Sequence, residues 1–100
     1  MSVLRLNEFK ALPGKFEELI TCFEDIVTQI RTIDGCERCE LLLKVSDGLD
    51  DDDKLIVLEV WTSIAAHKQS VTAIDPKDLE RVMPLLSTRP NGQYYTAVTE

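Results

Sequence analysis

Three features of this sequence could do chemistry: a cysteine pair, a carboxylate among apolar neighbours, and the only histidine. Cys36-x-x-Cys39 has the spacing of a redox dithiol or of half a zinc site. Glu59 sits inside "KLIVLEVW" (54–61). A carboxylate in such a segment must be paired or have a raised pKa, and so reads as an ion-pair partner or as a base. His67 follows the only tryptophan, Trp61, and shares helical spacing with Ile64 and Val71. That stripe either aims the imidazole into a pocket or makes it a hydrogen-bonded residue at the edge of the core. A fourth feature, Asp47 with Asp50 to Asp53, lacks the spaced ligands and distal glutamate of a calcium loop and reads as a solvated hairpin tip.

The elements that carry these residues follow from periodicity. "VLRLNEFK" (3–10) reads as a first strand. From Gly14 to Thr32, Phe16, Leu19, Ile20, Phe23, Ile26, Val27 and Ile30 recur at i, i+3, i+4, i+7, the stripe of an amphipathic helix. Glu17 and Glu18 near its start suit the helix dipole, and Gly35 is placed to close it in a left-handed conformation. Residues 36–46 read as a second strand, 46–54 as a loop and 54–61 as a third strand. Thr62 or Ser63 caps a short helix, and Asp75-Pro76 starts another that Pro84 ends or kinks. "RPNG" turns into a last strand over 93–99. The order β-α-β-β-α-β predicts an α+β, ferredoxin-like antiparallel sheet with helices on one face, as a single domain over 1–100.

Strand parity bears on two of the features. Residues three apart on a regular strand point to opposite faces, so Cys36 and Cys39 are expected not to meet over one metal or in a disulfide. A zinc site would need two more ligands, with only Cys22 and His67 as soft candidates, so no metal site is expected. On the third strand Ile56, Leu58 and Val60 occupy one side, and Leu55, Val57, Glu59 and Trp61 the other. Both sides are largely apolar, yet one chain has helices for only one of them. The other side calls for a second copy, a homodimer packed sheet to sheet. Arg5 on the first strand has the parity to pair with Glu59 if the two strands are neighbours. Tyr94 and Tyr95 point to opposite faces, so only one of them can look inward.

The 100 residues are 44% hydrophobic and carry a net charge of −7. Five of the eighteen acids lie between 47 and 53, leaving thirteen against eleven scattered bases elsewhere. Without a clustered basic footprint, nucleic acid is not an expected partner. Nor is a membrane, since no apolar run approaches the ~20 residues of a span. Three cysteines and no export signal point to the reducing cytoplasm.

Pro13-Gly14-Lys15, Gly35-Cys36 and Glu59-Val60-Trp61-Thr62-Ser63, taken in order and spacing, resemble the antibiotic biosynthesis monooxygenase family. The resemblance implies a dimeric α/β barrel that oxygenates quinols or polyketide anthrones without metal or flavin. The substrate, deprotonated in an apolar pocket, itself reduces O2. Such a pocket needs a base or oxyanion donors. The family's two histidine places fall on Ser70 and Asp75 in this chain, leaving His67 or Glu59 as proton acceptor. Asn7 matches an amide on strand one of related haem-degrading enzymes, though their tryptophan and histidine places hold Ser70 and Glu80 here, and it serves equally well to satisfy strand-edge backbone groups. The expected site is therefore His67 and Glu59 as catalytic groups, with Asn7, Trp61 and Arg5 binding a small aromatic molecule and no cofactor. A non-catalytic dimeric domain that binds an aromatic metabolite is the alternative of a different class, and a haem-binding or haem-degrading relative ranks behind it.

Overall fold

The computed structural model describes residues 2–45, 48 and 53–99. The elements are β1 (Val3–Phe9), α1 (Phe16–Ile30), β2 (Cys36–Leu43), β3 (Leu55–Trp61), α2 (Ile64–Ser70), α3 (Pro76–Val82), a 3-10 turn (Met83–Leu85) and β4 (Asn91–Tyr95). The sheet order is β2-β3-β1-β4 with every pairing antiparallel, the ferredoxin-like arrangement expected. The acidic hairpin tip lies outside the described residues apart from Gly48 and Asp53.

Local signals place the helices. α1 buries Leu19, Cys22, Phe23, Ile26, Val27 and Ile30 against the sheet, and Phe23 packs on Phe9 with ring centroids 4.3 Å apart. Each such side chain removed from water contributes roughly 1.5–3 kcal/mol. Ser63 caps α2 by accepting from the Ala66 amide at 3.0 Å, and Asp75 caps α3 by accepting from the Lys77 amide at 2.9 Å. Pro84 forces the chain into the 3-10 turn that ends α3.

Three expectations change. α1 stops at Ile30, well before Gly35, whose φ of 91° instead turns the chain into β2. A Cβ on Gly35 would lie 2.7 Å from that of Ala66, so this turn also needs glycine for space. β4 covers 91–95 rather than 93–99, because Tyr95 already pairs with Leu4 and β1 has almost no ladder left beyond it. Cys36 and Cys39 share a face: a bulge between Cys36 and Arg38 shifts the register, so they pair with Trp61 and Glu59, both inward.

The two sides of β3 are now distinguished. Leu55, Val57, Glu59 and Trp61 lie buried under the helices. Leu4, Leu6, Ile56, Leu58 and Val60 point to the side without helices, beside Leu42 and Tyr95, which are 42% and 46% exposed. Among the described residues no helix is long and apolar enough to cross a membrane.

Candidate active site

The inner faces of β1 and β3, α1 and the α2–α3 segment enclose a cavity of about 190 Å³. Phe9, Phe23, Ile26, Ile30 and Val57 form its apolar body, and Val71, Ile74 and Leu79 form the side toward α2 and α3. Cavities of about 150 Å³ hold benzene, so this one takes a ring system of one or two rings. The polar lining is confined to Arg5, Asn7, Glu59, His67 and Ser70. Strand pairing supplies the first three, since Arg5 pairs with Glu59 and Asn7 with Val57.

Glu59 is 6% exposed. Its Oε1 accepts from the Trp61 indole at 2.8 Å and lies 3.9 Å from His67 Nε2. Burial pushes its pKa up, opposed by the indole hydrogen bond and the charge of Arg5. His67 moves the other way: burial, and then Arg5, lower its pKa to about 4. The imidazole is therefore neutral at pH 7. With Nε2–H toward the carboxylate, Nδ1 is left to accept from the Tyr94 hydroxyl, 2.6 Å away. The result is a chain from Tyr94 through His67 to Glu59 and Trp61. Burial thus raises the basicity of the carboxylate and lowers that of the imidazole. Of the two expected proton acceptors, Glu59 is the stronger base, and His67 is its neutral neighbour at 3.9 Å.

These opposite shifts predict a stability signature. A histidine whose folded pKa is lowered stabilises the fold above its ordinary value near 6.5, and that stability is lost as pH falls toward 4. The loss amounts to up to about 3 kcal/mol. Glu59, with a raised folded pKa, has the opposite sign and favours the fold on acidification. A His67→Gln variant is therefore expected to lose less stability than the wild type between pH 6.5 and 4 in urea denaturation. Identical slopes would show that His67 is not held neutral.

Arg5 does not form the ion pair expected with Glu59. Its guanidinium lies over the Tyr94 ring, 4.8 Å from the centroid, and acts on Glu59 and His67 through its charge. Asn7 is on the cavity wall, but its Oδ1 is buried with no hydrogen-bond partner, so it is not satisfying strand-edge backbone. Trp61 is fully buried and absent from the cavity wall; it reaches the site only through Glu59 and an edge-on contact with His67, ring centroids 5.6 Å apart. Ser70 is 3% exposed and lines the cavity, while Asp75 caps α3 outside it. His67 Nδ1 is taken up by the Tyr94 hydroxyl, and Nε2 lies 3.9 Å from Glu59 Oε1. Among the described residues no cluster of three or more His, Cys, Asp or Glu is arranged to hold a metal ion. The cysteines, though on one face, are poor nucleophiles: burial raises Cys36 and pushes Cys39 up to about 12. Sequence reasoning left open which of Tyr94 and Tyr95 looks inward; it is Tyr94, and its partner His67 was not foreseen, since the two are far apart in sequence.

Residues 2–73 match the family model described as Antibiotic biosynthesis monooxygenase. The chain belongs to this family. No curated protein matches the sequence. Among solved structures, this monooxygenase-family chain is similar to SnoaB, a cofactor-independent oxygenase from Streptomyces nogalater, with 20% identity, a TM-score of 0.77 and coverage of 99% of this chain and 95% of that one. A protein from Mycobacterium tuberculosis aligns at 21% identity and TM-score 0.78, covering 100% of this chain and 98% of that one. A conserved protein from Methanosarcina mazei aligns at 14% identity and TM-score 0.81, covering 95% and 91%. At these identities the likeness carries the fold of the family member and not its substrate.

Proposed function

We propose that the protein is a cofactor-independent monooxygenase acting on a small quinol or phenol, in the reducing cytoplasm. The observation that carries this reading is a buried carboxylate of raised basicity in an apolar cavity of one- or two-ring size, with a guanidinium on the same wall. Glu59 removes the phenolic proton. The negative charge then passes from Glu59 to the substrate oxygen, and the charge of Arg5 stabilises the anion. The Trp61 indole holds Glu59 through Oε1, and the Tyr94 hydroxyl holds His67 beside it. The anion transfers electrons to O2, a peroxide forms at a ring carbon, and loss of water leaves a quinone. One oxygen atom enters the product and the other leaves as water, with every electron drawn from the substrate. Family membership and the likeness to SnoaB support the reaction class.

The test is incorporation of oxygen-18 from labelled O2 across a panel of catechols, quinols and small anthrones. One labelled oxygen per product, above a heat-denatured control, is the expected result. Retained binding with no turnover across the panel would favour the non-catalytic binding domain, a reading that the serine and aspartate at the family's histidine places would then explain.

A homodimer belongs to the same proposal. The side of the sheet without helices carries five half-buried aliphatic residues in a contiguous patch, and burying it against a second copy removes that surface from water. Sedimentation is expected to give twice the 11.3 kDa chain mass, and Leu58→Lys to give single chains or precipitate. A wild-type mass of one chain at micromolar concentration would end the proposal.

A further inference from the structure

Arg5 and Asn7 lie two residues apart on the inner face of β1, and both head groups lean toward β4. There the residue paired with Asn7 is Gly92. A Cβ on Gly92 would crowd Arg5 Nη2 and lie 3.1 Å from Asn7 Cγ, so both head groups fill the space that a side chain on that residue would take. They differ in what they offer. Arg5 presents charged donors, and its one ring contact is with Tyr94. Asn7 presents a buried acceptor with nothing donating to it. Leaving such an oxygen unsatisfied costs stability, and a ligand hydroxyl that donates to it recovers that cost on binding.

We propose that the cavity selects aromatics bearing an ionised oxygen and a hydroxyl on adjacent ring carbons, the catecholate class. The anionic oxygen lies against Arg5, and the neighbouring hydroxyl donates to Asn7 Oδ1 once a rotation of the amide turns this oxygen, closed to water in the unliganded chain, toward the cavity. An isolated phenolate satisfies Arg5 but leaves Asn7 orphaned. A para-quinol places its second oxygen at the far end of the ring, out of reach of Asn7. Gly92 is a positioning residue in this arrangement: a side chain there displaces the Arg5 guanidinium and crowds Asn7. The proposal rests on the reading of this cavity as the substrate pocket and narrows the substrate class.

Binding can be read without turnover, under nitrogen, with 4-nitrocatechol and 4-nitrophenol as probes. Both ionise near neutral pH and change their visible absorbance with environment. The nitrocatechol is expected to bind about tenfold tighter, as one further hydrogen bond to a buried acceptor allows. Asn7→Ala is expected to remove that preference while keeping nitrophenol affinity. Arg5→Gln is expected to weaken both probes, and Gly92→Ala to weaken the nitrocatechol more. Circular dichroism melting of each variant separates these losses from unfolding. Equal affinity of the two probes for the wild type, a preference that survives Asn7→Ala, or no binding of either would overturn the proposal. Oxygen-18 incorporation into monohydric or para-dihydroxy substrates alongside such a result would leave the oxygenase reading standing, and catechol preference without oxygen-18 incorporation into any substrate, catechols included, would do the reverse.

Discussion

Replacing Glu59 with glutamine is expected to lower kcat/KM by about a hundredfold to ten-thousandfold, the usual cost of deleting a positioned base. The substitution is nearly isosteric. The amide oxygen still accepts from the Trp61 indole, which now holds Oε1 at 2.8 Å, so the pocket keeps its shape. Stability is expected to hold or improve at neutral pH, because a buried carboxylate whose pKa is raised opposes folding once it is ionised. Activity in the wild type is expected to rise with pH as Glu59 ionises, at a pH above the ordinary value for a carboxylate. The variant is expected to lose this limb of the pH–rate profile along with most of its rate. Glu59→Asp, which withdraws the carboxylate by one methylene, should restore the limb with partial activity. An unchanged profile in Glu59→Gln would move the base elsewhere, with His67 the next group to test.

Trp61→Ala is expected to cost about 3–5 kcal/mol, as large-to-small changes at fully buried aromatics do. That is a large share of the ~5–15 kcal/mol available to a small domain. Trp61 has no exposed surface and sits where β1 and β2 both pair with the end of β3, so the neighbouring strands can close over the void only in part. The melting midpoint should fall by more than about ten degrees. Trp61→Phe separates packing from chemistry. It keeps much of the ring but removes the N–H that holds the Glu59 pKa down, so the ascending limb should move to higher pH with a smaller loss of stability. A Phe variant with an unshifted limb would show that the indole only packs.

The assignment of Glu59 as base rests on these opposing influences. In a polar setting His67 would be the natural proton acceptor near pH 7. Here the imidazole is enclosed, Arg5 repels a second positive charge, and its pKa falls to about 4. The same enclosure favours a proton on the carboxylate. One environment acting on groups of opposite charge type thus divides the roles between them.

Much of the fold was legible because it is written in local periodicity and turn chemistry. The apolar stripe of α1, the capping Ser63 and Asp75, and Pro84 specify their elements through neighbours a few residues away. The order of strands and helices then restricts the topology. Glu59 was visible as a candidate for the same reason, since a carboxylate in an apolar strand stands out without any structure. The family resemblance, carried by short motifs in order, was legible as well.

What the sequence could not determine depended on register and on contacts between distant segments. One bulged residue reversed the parity of the cysteine pair, and no local signal marks where a strand will bulge. Neither the contact of Tyr94 with His67, nor the seat of Arg5 over the Tyr94 ring, nor the space left by Gly92 has a sequence signature. Each depends on β4 pairing with β1 and on α2 folding back over the sheet. The amino-acid sequence by itself determined which groups are able to react. The tertiary structure alone decided how each would titrate and which would face the cavity, because burial and strand register set both.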